Sequence, residues 1–257
     1  MSKLQNNGSK QTEAEHHDAW YSGNSDAVRG PAEKYYDALE KRAVSFVRQV
    51  IASNAGNRDA LDVGCGMGWN AIMLAKKGAR SVTAIDVSSV AISKAGESAG
   101  RMGFHNIAFR TMDAQKMEFQ DNTFDLVTGW GILHHLDLPR AFAEIARVLR
   151  PGGLGVFLEP LGHNPAINLY RRLTPQIRTP DEHPLLMKDL KKAKDHFQNV
   201  ELHFFNLATL FALPFRNWSA FEQILVRLDR LDQSLFRMAP FVRCCAWMVA
   251  LVVSRPA

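Results

Sequence analysis

The sequence predicts a doubly wound α/β fold: a seven-stranded, mostly parallel sheet with helices on both faces. Three observations predict it. Between Asp59 and Pro160, short apolar runs alternate with helix-period segments. The intervening helical stretches read as right-handed crossovers, which parallel neighbours require. No fixed-period repeat and no low-complexity tract breaks the alternation.

The elements follow in order. Pro31 opens a helical stretch to about Ser53, with Gly56 past its end. "DALDV" is the first strand. Trp69 to Lys77 reads as a helix closed by Gly78. "SVTAIDV" is the second strand, and Ser88 is the N-cap of the helix after it. "IAFRT" and "FDLVTG" are the third and fourth strands. Asp137 caps a helix carrying Phe142, Ile145 and Leu149 on one face; "RPGG" stops it and "LGVFLE" is the fifth strand. A polar, proline-bearing stretch leads to a charged helix near Leu185 to His196, and "VELHFF" is the sixth strand. A mostly helical, apolar stretch then reaches "AWMVALVVSRP", a seventh strand returning antiparallel to the rest.

Composition narrows the partners. The chain has 257 residues, 46% of them hydrophobic, enough for a sizeable buried core. The net charge of +5 permits an anionic or membrane-surface partner without demanding one. No arginine-rich stripe with interleaved aromatics is present, so nucleic acid is not an expected partner. Cys65, Cys244 and Cys245 make no disulfide framework, which fits a reducing cytosol and a cytoplasmic location. No zinc spacing occurs, and no metal is expected; the adjacent side chains of His134 and His135 with Asp137 do not converge on one ion. The amino terminus lacks the apolar core of a signal peptide and reads as a polar arm. The apolar run from Cys244 to Val253 falls short of the ~20 residues a spanning helix needs.

The most informative stretch is "LDVGCGMGWN", Leu61 to Asn70. A glycine turn between strand and helix aims backbone N–H groups and the helix's positive end at a ligand. A dinucleotide turn is G-x-G-x-x-G. Here Gly64, Gly66 and Gly68 give G-x-G-x-G, and Trp69 stands where that pattern wants its last glycine. Asp86, ending the second strand, suits ribose hydroxyls in either a dinucleotide or S-adenosylmethionine. Asp113, within "TMDAQ", suits an adenine amino group.

With "LDVGCGMG", "AIDVS", "MDA", "FDLVTGWGILHHL" and "LRPGGLGVFLEP" in this order, the chain resembles the class I S-adenosylmethionine-dependent methyltransferases. It most resembles their small-molecule branch, which includes ubiquinone and menaquinone biosynthesis enzymes. The likeness covers about Asp59 to Pro160. It implies the strand order 3-2-1-4-5-7-6. It also implies that Gly64, Cys65, Gly66 and Gly68 lie beside the methionine part of the cofactor. Asp62 would support that loop and the amino group, and Asp86 with Val87 would hold the ribose. Asp113 and Ala114 would flank adenine, and the Gly129 carbonyl would meet the methionyl ammonium. The expected organisation is a polar arm over 1–30 and one domain over 31–257. Within it lie a cofactor core at 59–160, a substrate-side segment at 160–196 and a lid-like helical insertion at 206–245.

Methyl transfer from a sulfonium needs alignment above all, worth ~7–11 kcal/mol when well oriented. A base is needed only if the acceptor must lose a proton. Ligands in such sheets bind beyond the carboxyl ends of the strands. The catalytic candidates are therefore His135, His163 and Glu159, with Trp130, His134, Asn164, Arg171, Arg178 and His183 facing a small-molecule acceptor. An internal clasp of acids and arginines is the competing reading of the segment from Glu159 to His183. "NLATLFALPFRNWSAF" and "LFRMAPFVRCCAW" read as a lid, or as a pocket or peripheral membrane surface for a lipophilic acceptor. Trp20, Tyr21, Tyr35 and Tyr36 are placed to close over the cofactor from the amino-terminal side. O-methylation is the favoured reaction. A cofactor-binding protein without turnover and a nicotinamide oxidoreductase are the alternatives.

Overall fold

Seven segments pair into one sheet: β1 (Asp59–Val63), β2 (Ser81–Asp86), β3 (Ile107–Thr111), β4 (Phe124–Trp130), β5 (Leu149–Pro160), β6 (Asn199–Phe205) and β7 (Met248–Ser254). In the computed structural model, which describes residues 14–15, 17–19, 21–23, 33–173 and 183–255, their order is 3-2-1-4-5-7-6. Strand β7 runs antiparallel to both its neighbours, β5 and β6. The other ladders are parallel. This is the architecture that the sequence predicts.

The helices are α1 (Glu33–Asn54), α2 (Trp69–Lys76), α3 (Ser89–Arg101), α4 (Leu138–Val148), α5 (Pro165–Leu173), α6 (Met187–Lys191) and α7 (Phe221–Met238). Two apolar cores form against the sheet. Residues alternate between them along the central strands, as the two-residue period of a strand requires. Leu61, Val63 and Val127 join Phe142, Ile145 and Phe157 in one core. Ala60 and Leu126 join Ala43, Val47, Ile51 and Leu74 in the other. A parallel sheet covered twice thus leaves its strand ends as the open surface.

Local signals behave as their chemistry dictates. Ser88 Oγ accepts the Ala91 N–H at 3.1 Å and caps α3. Asp137 caps α4 through the Arg140 N–H at 3.3 Å.

Two boundaries differ from expectation. "RPGG" does not separate helix from strand; β5 begins at Leu149. Its register passes from Phe124↔Leu149 to Leu126↔Leu154, so Arg150 to Gly153 bulge from the ladder. Arg150 anchors the bulge through Asp125 at 2.7 Å and Asp59 at 3.1 Å, an ionic knot that a local reading cannot foresee. The charged helix is also shorter than expected. Leu185 bridges Leu161 beside the end of β5, and only Met187–Lys191 is α-helical before a 3-10 turn, Lys192–Asp195.

Between β6 and β7 lie a 3-10 segment (Ala208–Phe215), α7 and a second 3-10 segment (Pro240–Cys245). Among the described residues, no helix is long and apolar enough to cross a membrane.

Candidate active site

The carboxyl ends of β1, β2 and β4 meet at the glycine loop. Gly64, Gly66 and Gly68 have φ of +65°, +48° and +79°, a region that side chains disfavour. Their surroundings assign them different jobs. A Cβ on Gly64 would lie 2.6 Å from the Ile132 side chain. On Gly68 it would lie 2.9 Å from Phe109 and 3.0 Å from Ala95. Gly68 therefore serves the packing of α2 against β3 and α3. At Gly66 a Cβ would meet only the tip of Tyr21, whose hydroxyl would lie 2.7 Å away.

Asp86 fixes this loop. Its Oδ2 accepts the Gly66 N–H at 2.8 Å and its Oδ1 the Ser88 N–H at 2.9 Å. Val87, half-buried, follows it. The Met112 N–H donates to the Asp86 carbonyl at 2.9 Å, which brings the Asp113 turn alongside. Asp113 Oδ1 accepts the Gln115 N–H at 2.9 Å, and Ala114 is buried. Cys65 is buried, and burial beside Asp62 and Asp86 pushes its thiol far above the usual range. Its backbone is also engaged: the Cys65 N–H donates to the Ile85 carbonyl at 3.0 Å, and its carbonyl accepts the Gly68 N–H at 2.8 Å.

Asp62 is fully buried under the loop. Thr128 Oγ donates to its Oδ1 at 3.1 Å, while Oδ2 has no hydrogen-bond partner of good geometry. Burial pushes its carboxyl up to about 7, against the opposing pull of Thr128, Asn70 and the Ala71 amide. A buried carboxylate oxygen without a partner is costly. It is the fitting counterpart for a ligand's ammonium group.

Gly129 lies within β4, between Val63 of β1 and Phe157 of β5. A Cβ there would lie 2.8 Å from Ile132 and 2.9 Å from Phe157, so packing explains this glycine.

The helical turn around Asp18 closes over the loop. Asp18 accepts from the Ser88 hydroxyl and from the Val90 N–H at 3.2 Å, adding a second cap to α3. Lys94 Nζ donates to the Tyr21 carbonyl. The His17 ring stacks on Tyr21 at 6.2 Å and meets His135 edge-on at 5.8 Å. Sequence reading anticipates Tyr21 here but misses Asp18, Lys94 and Thr128. Their partners are distant in the chain, and no local pattern marks them. Trp20 lies outside the described residues, as do the side chains of Tyr35 and Tyr36.

Comparison with known proteins agrees with this geometry. A family model described as a methyltransferase domain matches residues 60–153. The sterol 24-C-methyltransferase of Gibberella zeae is 34% identical over 45% of this chain and 32% of its own. The 27-O-demethylrifamycin SV methyltransferase of Amycolatopsis mediterranei is 38% identical over 42% of each. The chain thus spans less than half the length of these two relatives. The demethylmenaquinone methyltransferase of Staphylococcus aureus is 32% identical over 67% of this chain and 74% of its own.

The chain belongs to the class I S-adenosylmethionine-dependent methyltransferases.

Among solved structures, the cyclase SpnF shares the fold of this methyltransferase with a TM-score of 0.59. It is 21% identical over 84% of this chain and 82% of its own. The methyltransferase residues fit S-adenosylmethionine on two observations: the orphaned Asp62 oxygen and Gly66, where only the tip of the Tyr21 side chain stands against the loop. Asp62 suits the amino group, Gly66 the close approach, and Asp86 retains lone pairs for ribose hydroxyls.

The methyltransferase's acceptor-side candidates separate on inspection. Glu159 is expected to face the acceptor, but it is 0% exposed. Its Oε1 accepts the Ile132 and Leu133 N–H groups at 2.9 and 2.8 Å, and its Oε2 pairs with His134 Nδ1 at 2.8 Å. Strand β5 inserts it beneath the turn after β4, where it orders backbone. Asn164, also buried, is a cap: its Oδ1 accepts from the Ala166 and Ile167 N–H groups, and its Nδ2 donates to the Cys245 carbonyl. His134 is buried, and its ring centroid lies 4.1 Å from that of His135, which is partly exposed. His163 is exposed and accepts the Met187 N–H at 3.2 Å. Trp130, partly exposed, ends β4. Arg171 and His183 do come together. With Asn168 and Lys188 they line a cavity of about 400 Å³ beside Gly162. Arg178 lies outside the described residues. Among the described residues, no group of three or more His, Cys, Asp or Glu could hold a metal ion.

Proposed function

We propose that this chain transfers a methyl group from S-adenosylmethionine to an oxygen of a small, lipophilic molecule by in-line displacement. The observation that carries the reading is the anchored histidine turn after β4, beside the glycine loop. Glu159 holds His134, and the His134 ring packs against that of His135 at a tilt of 39°. His135 thereby faces the amino-terminal turn with its ring fixed from behind.

The sulfonium supplies the leaving group when the cofactor is bound. The chain's own residues hold the cofactor, exclude water and handle the acceptor's proton. His135 is the base that takes that proton, as a hydroxyl acceptor requires. Glu159 and His134 are positioning residues. Arg171 and Lys188, with His183, Asn168 and Asp189, line a cavity in which the arginine suits an acidic or polar group on the acceptor. The lid-like insertion over 206–245 gives the acceptor side an apolar cover. The relatives named for a sterol, a rifamycin and a demethylmenaquinone support a small organic acceptor.

The deciding experiment incubates the protein with methyl-labelled S-adenosylmethionine and fractionated cell extract. Label should enter an organic-soluble small molecule as an alkali-stable ether. His135→Asn should lower transfer while leaving cofactor affinity unchanged. Tight cofactor binding with no labelled product in any fraction would overturn the reading.

A further inference from the structure

Helix α7 sorts its charges in an unusual way. Of its acidic residues, Asp229 and Asp232 are buried and Glu222 is exposed. Asp232 accepts from the Leu207, Ala208 and Thr209 N–H groups and from the Thr209 hydroxyl. Asp229 pairs with Arg42 of α1. Glu222 is taken up by Lys41 at 3.0 Å. The arginines go the other way: Arg227, Arg230 and Arg237 are all exposed. Val226, Leu231 and Met238 are exposed among them, at 45%, 46% and 84%.

The two buried carboxylates lock the rotation of the helix. Rolling α7 to hide its outer apolar residues would break both sets of bonds and strand two anions. The cationic and apolar face is therefore held outward by design of the packing, and it is not alone. Ten large hydrophobic residues are exposed among the described residues, and six lie between Phe211 and Phe241. The flanking 3-10 segments contribute Phe211 at 74% and Phe241 at 79%, and Trp218 precedes the helix at 60%. Beside α7, a cleft of about 480 Å³ holds the Arg42–Asp229 pair and adds Arg237 and Arg243, near Phe46, Phe204 and Phe236.

We infer that the outer face of α7, with Phe211, Trp218 and Phe241, docks the protein on an anionic bilayer surface. Arginines among apolar side chains on one helix face meet acidic headgroups while aromatic rings enter the interfacial layer. A neutral apolar partner would leave the arginines desolvated and unpaired. The helix lies on the surface and does not cross it, consistent with its mixed outer face. Docking would deliver a lipophilic acceptor from the bilayer to the lid-like insertion. In that purpose the inference rests on the lipophilic-acceptor reading, but its evidence is separate.

The test is sedimentation of the full chain with phosphatidylcholine vesicles, with and without phosphatidylglycerol. Binding should require phosphatidylglycerol and weaken with added salt. Exchanging Arg227, Arg230 and Arg237 together for glutamine should lower partitioning about 100-fold, from the contribution of each cation near an anionic surface. Brominated acyl chains should quench tryptophan emission, and Trp218→Phe should remove most of that quenching. Calorimetry should find S-adenosylmethionine affinity unchanged in the triple variant, so that failed docking is not mistaken for failed methyl transfer. Equal sedimentation with neutral and anionic vesicles, or unchanged partitioning of the folded triple variant, would overturn the inference. So would self-association abolished by Phe241→Glu with no vesicle binding, since the face would then belong to a second copy.

Discussion

Glu159 and His134 meet at 2.8 Å in a buried pair beneath the turn that follows β4. The other Glu159 oxygen takes two backbone amides of that turn. One carboxylate thus ties β5 to the loop where β4 ends. A residue expected to face the acceptor is therefore a fastener.

Replacing Glu159 should therefore damage stability before chemistry. Glu159→Gln keeps the shape but cannot accept at every oxygen site, and should cost ~1–3 kcal/mol. Glu159→Ala leaves two amides and a histidine without partners and should cost more. Urea unfolding measures both. A Glu159→Gln protein as stable as the parent yet inactive would return Glu159 to the acceptor.

Gly66 and Gly68 should respond differently. Gly66→Val should fold with some loss of stability from its own left-handed backbone, and should lose cofactor binding, because its side chain would take the space beside the Tyr21 hydroxyl. Gly68→Ala meets Phe109 and Ala95 in a left-handed backbone, and should destabilise by ~1–3 kcal/mol while the folded protein still binds. Calorimetry on both variants beside their denaturation curves separates the two effects. Equal loss of affinity without loss of stability would mean that Gly68 also touches the ligand.

Asp62 should make stability depend on pH. Its folded carboxyl is raised from 3.8 to about 7, so the folded state holds the proton more tightly than the unfolded state. The associated stability is present at low pH and is lost as pH rises through that window. Asp62→Asn, which stays neutral, should be the more stable protein at pH 8, by an amount on the order of a few kcal/mol. It should also bind cofactor more weakly. Melting temperatures of parent and variant against pH provide the check; parallel curves would refute the assignment.

Asp18 should govern closure of the amino-terminal turn. Its hydrogen bond with Ser88 holds its carboxyl below the ordinary value, so this tie weakens as pH falls into the carboxylate range. Asp18→Ala removes a helix cap worth about 1 kcal/mol, which should lower cofactor affinity several-fold. Limited proteolysis should then cut near Tyr21 faster, and added cofactor should slow the cut. Unchanged affinity and cleavage would show that the turn is a bystander.

The glycine loop, the acidic residues at the strand ends and the strand–helix alternation are local or periodic features. Backbone sterics and burial act on them through near neighbours, so the elements and the glycine turn were legible in the chain, while the strand order followed from the family resemblance. The charge balance of 206–245 was equally visible as composition. Its sorting was not, because nothing within the segment says which face of α7 packs inward.

What the sequence by itself determined is the fold class and the family, since a repeated apolar rhythm and a few fixed spacings suffice for both. Only the tertiary structure decided which polar residues are spent on the fold. Glu159, Asn164 and Gly68 sit at positions that look functional in one dimension. In three dimensions their partners arrive from other elements: the His134 turn, the Cys245 carbonyl and Phe109. A buried polar group must be satisfied by whatever the fold brings beside it, and that neighbour is set by topology, not by adjacency in the chain.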